Sequence, residues 1–333
     1  MGQISTELRL RAGTLDDLPQ VVALANACAR ETIGRDELTI EGYINEWQDP
    51  AIDIAADTRV AELPDGTIAG CVEVWSQPPH IDSWLWGRVH PELRGRGVGT
   101  ALMDWAEARA AERLAKAPDG ARLVLVAASP NDHAPTSALL RERGFAVMRD
   151  SLTMERSLEA ASPAPHWPAG IVVRSLQPGD EPAVYRAADE AFEDHWGHVA
   201  APDQDEAMRT WLHHLTGRPE FDPSLWFLAL DGDAIAGVAL CYPARAGDNT
   251  LGWVSTLGVR RPWRRRGLGE ALLYHAFGEL RARGRTRVGL GVDAQSLTGA
   301  TRLYERAGMH VVHRQIAFEK ELRPGNNLST QSI

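Results

Sequence analysis

The chain is poor in lysine. Only Lys116 and Lys320 occur among its 333 residues, and no Gly-Lys-Ser/Thr run is present, which excludes a P-loop. Cysteine is equally scarce. Cys28, Cys71 and Cys241 are odd in number and widely spaced. That excludes a disulfide framework and fits a reduced, cytoplasmic compartment. No run of 18 apolar residues occurs, so no transmembrane helix is expected. The first seven residues lack the basic and apolar regions of a signal peptide. Positive charge is in deficit: Lys and Arg total 35 against 45 Asp and Glu, a formal net charge of −10. That balance argues against a general nucleic-acid or membrane binder. What the chain does have is length and 44% apolar residues, enough for two ordinary domains.

One short pattern occurs twice, as Arg94-Gly95-Arg96-Gly97-Val98-Gly99 and as Arg264-Arg265-Arg266-Gly267-Leu268-Gly269. Both copies read R-x-x-G-x-G. Each follows an apolar run and opens an amphipathic stretch, so each reads as a strand turning through glycines into a helix. Such a turn aims unpaired backbone N–H groups and the positive end of the helix dipole at one spot, a seat for pyrophosphate. The dinucleotide fingerprint G-x-G-x-x-G is not met, because Leu102 and Leu272 stand at its third glycine.

The repeat extends over most of the chain. Arg9–Asp17 and Val172–Asp180 both read as a short strand and a turn, followed by helices over Leu18–Arg30 and Glu181–Glu193. Hairpins are expected around Pro64-Asp65-Gly66 and Asp231-Gly232-Asp233. Strands over Ser83–Val89 and Thr250–Val259 lead to the glycine loops. After each loop helix come a strand (Ala121–Ala127; Arg287–Val292), a short helix and a last strand (Val147–Arg156; His310–Glu319). The fold class is therefore α/β, with a mixed sheet flanked by helices in each half. The expected domains are 1–158 and 170–323, with a Pro-rich linker at 159–169 and a disordered tail at 324–333.

The loop resembles the coenzyme A loop of the GNAT acetyltransferase superfamily. The distal run Leu303-Tyr304-Glu305-Arg306-Ala307-Gly308-Met309 resembles that superfamily's second motif, and Leu139-Leu140-Arg141-Glu142-Arg143-Gly144-Phe145 is a weaker copy. Two loops, each followed in order by its distal motif, are specific evidence. The run from Asp293 to Glu305 is most similar to tandem members of the mycothiol synthase type. The resemblance implies two GNAT folds, acetyl-CoA as the cofactor, and direct acetyl transfer to a primary amine of a small molecule in a ternary complex. It implies no metal.

By the same resemblance, the pantetheine arm lies along Leu257, Gly258 and Val259. The phosphates fall to Arg264, Arg265, Arg266, Gly267, Leu268, Gly269 and Glu270, with Ser296 also on the coenzyme side. In the first copy the matching residues are Val89, Arg94, Gly95, Arg96, Gly97, Val98, Gly99 and Thr100. Tyr304 matches the family's general acid. A phenol with an ordinary pKa near ~10 stays protonated at neutral pH and can donate to a departing thiolate. Leu140 stands at that position in the first copy, so the first domain is expected to be catalytically weak or silent. The glutamate expected as base is replaced by Trp253, and Ser296 stands where Asn is common. That leaves the segment Glu193-Asp194-His195 to supply a base from Glu193 or His195 and an amine contact from Asp194, with Trp253 against the acceptor. His195 and His198 have H-x-x-H spacing but no third ligand nearby, so no metal site is read there.

Two further readings stay open on the residues alone. One is a non-catalytic acyl-CoA sensor or assembly module. The other is nucleic-acid binding by the arginine loop, which the negative chain disfavours. Neither nucleic acid nor membrane is an expected partner, and the oligomeric state is expected to be monomer or homodimer.

Overall fold

A computed structural model describes residues 8–131, 133–296 and 299–330. The first half contains β1 (Arg9–Arg11), α1 (Leu18–Ile33), α2 (Ile40–Trp47), α3 (Ile54–Asp57), β2 (Thr58–Glu62), β3 (Ile68–Trp75), β4 (Asp82–Val89), α4 (Val98–Glu112), β5 (Leu123–Pro130), α5 (Ala134–Glu142) and β6 (Ala146–Ser157). The second contains β7 (Ile171–Ser175), α6 (Glu181–Phe192), α7 (Gln204–Thr216), β8 (Trp226–Asp231), β9 (Ala234–Tyr242), β10 (Leu251–Val259), α8 (Leu268–Ala282), β11 (Arg287–Asp293), α9 (Ala300–Arg306) and β12 (His310–Arg323). Among the described residues no helix is long and apolar enough to cross a membrane.

The chain forms two compact units. One comprises residues 8–150 with 314–328, the other residues 151–313 with 329–330. In the first, β1 to β4 pair antiparallel in sequence order, β4 and β5 pair parallel, and residues 315–323 of β12 close the far edge against β5. In the second, β7 to β10 pair antiparallel, β10 and β11 pair parallel, and residues 151–157 of β6 lie against β11. The expected boundaries at 158 and 323 therefore differ from the compact units at the last strand of each half. Both strands carry the same alternation, and a pleat pattern specifies which face is buried but not which sheet edge is taken.

Each sheet is covered on both faces. In the second unit α8 turns Leu268, Leu272, Ala276 and Leu280 onto one face, where they meet Phe227, Val254 and Leu290. The spacing of three to four residues makes that apolar stripe. Val184, Ala187 and Ala188 of α6 cover the other face with Trp226, Leu228 and Leu240. The first unit repeats the plan, with Leu102, Met103 and Ala106 of α4 on one side and Leu18, Val21 and Tyr43 of α1 and α2 on the other. Strands buried on both faces read as continuous apolar runs, as Ile235 to Tyr242 does.

The expectation of a disordered tail needs correcting over 324–330. Asn326 N donates to Gly120 O at 2.8 Å, and Asn326 O accepts from Arg122 N at 2.8 Å. Thr330 exchanges backbone bonds with Gly197 and His198 at 2.9 and 2.7 Å. A polar segment without periodicity can still be fixed by backbone pairing, which composition does not report. Residues 331–333 lie outside the described residues.

Candidate active site

The site of the second unit arises where two strands part. β10 and β11 pair only from Leu251–Arg287 to Val254–Leu290. Beyond that point β10 runs on to Val259 and β11 to Asp293 without a ladder between them. A cavity of about 850 Å³ occupies the fork, lined by Val254, Ser255 and Leu257 to Val259 on one side and Leu290 to Asp293 on the other. At the same point the register of β10 against β9 shifts between Val254 and Thr256. Ser255 is the extra residue of this bulge, and it lines the cavity. A bulge withdraws a residue from its ladder and re-aims it, which frees main-chain polar groups of β10 for a ligand in the fork.

The glycine loop closes one end. Gly267 caps α8 with φ +82°, a left-handed turn in which a side chain would be strained. It leaves the first N–H groups of α8 without helical acceptors at the cavity wall. Arg265 adopts φ +60° where the first loop has Gly95 at +71°. Holding a non-glycine residue there costs roughly 1 kcal/mol, and it places a guanidinium on the cavity rim.

Tyr304 of α9 enters the opposite wall. It is buried, and desolvation pushes its phenol up to about 12, so it is a protonated donor throughout the neutral range. His195 also lines the cavity, with its ring edge-on to Phe192 at 4.6 Å. Burial lowers its pKa, with Asp194 opposing that shift and Arg264 adding to it, so the imidazole is a neutral proton acceptor at pH 7.

Matches to a protein family, to two relatives and to two solved structures bear on this arrangement. The profile of the GNAT acetyltransferase family matches residues 19–145 and again 182–309. The chain belongs to the GNAT acetyltransferase family. It carries two GNAT domains and is an acetyl-CoA-dependent N-acetyltransferase. It is 32% identical over 296 residues to mycothiol acetyltransferase of Salinispora arenicola, covering 88% of this chain and 89% of that one. A second mycothiol acetyltransferase, from Thermomonospora curvata, is 31% identical over 294 residues, with 87% and 89% covered. Among solved structures, a GCN5-related N-acetyltransferase from Sphaerobacter thermophilus aligns with a TM-score of 0.80 and 34% identity over 99% of this chain and 100% of that one. A tandem GNAT protein from the clavulanic acid biosynthesis pathway shares the fold at a TM-score of 0.74, 18% identity, and 96% and 100% coverage.

Most residues expected at a GNAT coenzyme site do line the cavity: Leu257, Gly258, Val259, Arg264, Arg265, Gly267, Leu268, Gly269, Glu270 and Ser296, together with Tyr304 and His195. Others are absent from that wall or engaged within the protein. Arg264 donates to Asp194 at 2.5 and 3.0 Å, and also to Ala191 O and Val259 O. It ties the end of α6 to the loop, and its charge holds Asp194 down near about 2. Asp194 is thus engaged by arginine, a correction to its expected role with the acceptor. Glu193 is exposed and absent from the cavity wall. It stands one residue beyond the last turn of α6, where its side chain leaves the apolar stripe. Arg266 is exposed at the loop but off the wall. Trp253 lies outside the cavity wall as well; Arg245 stacks on its ring at 3.7 Å. Side chains alternate along a strand, so Trp253 faces away from Val254, which packs against α8.

Sequence reasoning missed Ser255. It lies between Val254 and Thr256, where nothing in the sequence marks a bulge.

The first unit has the same fork, with β4 and β5 pairing only from Asp82–Val124 to Trp84–Val126. Its cavity, about 310 Å³, takes in Val89, Arg94, Gly95, Gly97, Gly99 and Thr100. Arg96 is exposed outside that wall, and Val98 is turned into the core. Arg94 is held by Glu31 at 2.7 Å, as Arg264 is by Asp194. Two differences matter chemically. The register of β4 against β3 is unbroken from Gly70–Val89 to Trp75–Trp84, so no bulge is present. Leu140 stands in the wall where the second unit has Tyr304.

Proposed function

We propose that this GNAT protein passes the acetyl group of acetyl-CoA directly to the primary amine of a small molecule, in a ternary complex, at the cavity of the second unit. The observation that carries this reading is the convergence of a glycine loop, a bulged strand and a buried phenol on one fork. The phosphates sit on the N–H groups at Gly267–Gly269, with Arg265 at the rim. Main-chain donors freed at Ser255 polarise the thioester carbonyl, and such fixed dipoles stabilise the oxyanion of the tetrahedral intermediate. His195 takes the proton of the attacking amine, directly or through water. Tyr304 gives its proton to the departing thiolate. The full-length likeness to proteins named mycothiol acetyltransferase supports a small-molecule acceptor over a macromolecule.

The first unit is proposed to be silent in chemistry. Leucine cannot donate a proton, and the unbroken β3–β4 ladder leaves β4 without the bulge that sets Ser255 apart in the second unit. Tyr304→Phe tests the assignment. It should lower kcat by about 100-fold, the usual worth of a positioned acid, while the acetyl-CoA dissociation constant stays within about threefold, since the aromatic body that packs the wall is kept. Full turnover in Tyr304→Phe would remove the tyrosine from the mechanism.

A further inference from the structure

The cavity of the first unit differs from that of the second in where it leads. It is smaller, yet it reaches inward past the central strand to Cys71 and Val72 of β3 and to Leu102 and Met103 of α4. The cavity of the second unit is lined by no residue of β9, the matching strand, among the described residues. The cause is one position. Val89 and Val259 end their strands opposite Gly70 and Gly237, so Gly87 matches Leu257. A Cβ on Gly87 would lie 3.2 Å from Cys71 O and 3.4 Å from Val72 Cγ2. A leucine there would grow from the spot where the cavity now meets β3. Further along, Leu140 replaces a tyrosine, so this end of the cavity carries no phenol.

We infer that the first unit binds a coenzyme A thioester whose acyl chain is longer than acetyl. Its phosphates rest on Gly95–Thr100, and its chain lies in the apolar pouch walled by Cys71, Val72, Leu85, Leu102, Met103 and Leu140. The occupant follows from the two ends of one cavity. The mouth is an anion loop and the floor is lined by apolar side chains, a combination that fits an acyl thioester and leaves free coenzyme A with an empty floor. The inference rests on reading the first glycine loop as a coenzyme A loop, as in the proposed function. No bond is made or broken at this site.

The test is calorimetric titration of acetyl-, butanoyl-, hexanoyl- and octanoyl-CoA into the full chain carrying Gly267→Glu, which puts a carboxylate where the second unit's phosphates would sit. Each methylene buried in the pouch should tighten binding by roughly fourfold until the pouch is full, so hexanoyl-CoA should bind at least about tenfold tighter than acetyl-CoA. Adding Gly87→Leu should flatten the series and leave acetyl-CoA binding in place. Gly87→Ala, a smaller intrusion, should lower the slope. The series in Gly267→Glu alone requires no change in the pouch, so it stands even where Gly87→Leu does not fold. A flat series overturns the inference. So does loss of all binding in Gly267→Glu when the unsubstituted chain binds acetyl-CoA; the acetyltransferase reading then still holds. If the unsubstituted chain binds no thioester, both fail.

Discussion

Glu73 is the side chain most out of keeping with its surroundings. It sits on β3, cross-strand from Trp86 and Thr58, and is buried. Its Oε1 has no hydrogen-bond partner among the described residues. Burial pushes its carboxyl up to about 8, with Arg88 only partly opposing the shift. The folded group is therefore protonated at pH 6, while the unfolded one ionises above its ordinary value of about 4.3. Between those two values unfolding releases a proton, so stability falls as pH rises and levels off above about 8. Urea denaturation should show a loss on the order of 3 kcal/mol between pH 5.5 and pH 8 that Glu73→Gln abolishes. Identical pH slopes for the two proteins would place the proton elsewhere. This residue was not legible in the sequence, because a glutamate between Val72 and Val74 in an alternating strand reads as solvent-facing. Tyr304 was legible because its neighbours Leu303 and Glu305–Gly308 fix its identity independently of its burial.

At the scale of elements, the tie between α6 and the glycine loop is the main finding. Arg264 spans Asp194, Ala191 O and Val259 O, joining a helix end, a strand end and the loop. Its guanidinium acts on the loop's shape, while Arg265 lines the cavity. Asp194→Ala should weaken acetyl-CoA binding by about tenfold through loss of charge-assisted bonds, with kcat at saturation little changed. Titration of acetyl-CoA and a saturation curve check the split; a fall in kcat alone would mean that Asp194 acts on the chemistry instead. The glycine loops and their helices were readable because φ-positive turns demand glycine and an amphipathic stripe demands a period. The helices Ile40–Trp47 and Gln204–Thr216 were not read. The second buries none of its residues fully; Trp211 and Leu215 pack only in part against the core, and its start depends on Asp203 capping Asp205 N and Glu206 N. The bulge at Ser255 was equally silent, since one extra residue in a ladder leaves the composition of a strand unchanged.

At the scale of the molecule, two matched halves and their last strands were visible in the sequence, and the sheet edge that each last strand takes was not. The first unit is completed by residues 315–323, which bring Ile316 and Phe318 into its core beside Leu125 and Leu140. Residues 1–158 alone lack that strand. The edge of β5 would lie open, and the core would lose two large side chains worth about 2–5 kcal/mol each. That fragment should show no cooperative thermal transition. Residues 1–150 joined by a flexible linker to 314–328 should show one, by circular dichroism and calorimetry. Cooperative unfolding of residues 1–158 alone would mean that the closing strand is dispensable.

The exchange of last strands also bears on how such a gene can change. A stop codon after His313 would spare every codon for the second unit's cavity wall, which ends at Arg306. What it would delete is a piece of the first unit, encoded more than 150 codons downstream of that unit's other residues, together with the short segment from Ser329 on that belongs to the second unit. Neither half of the reading frame can be lost, spliced out or transferred to another gene as an intact compact unit.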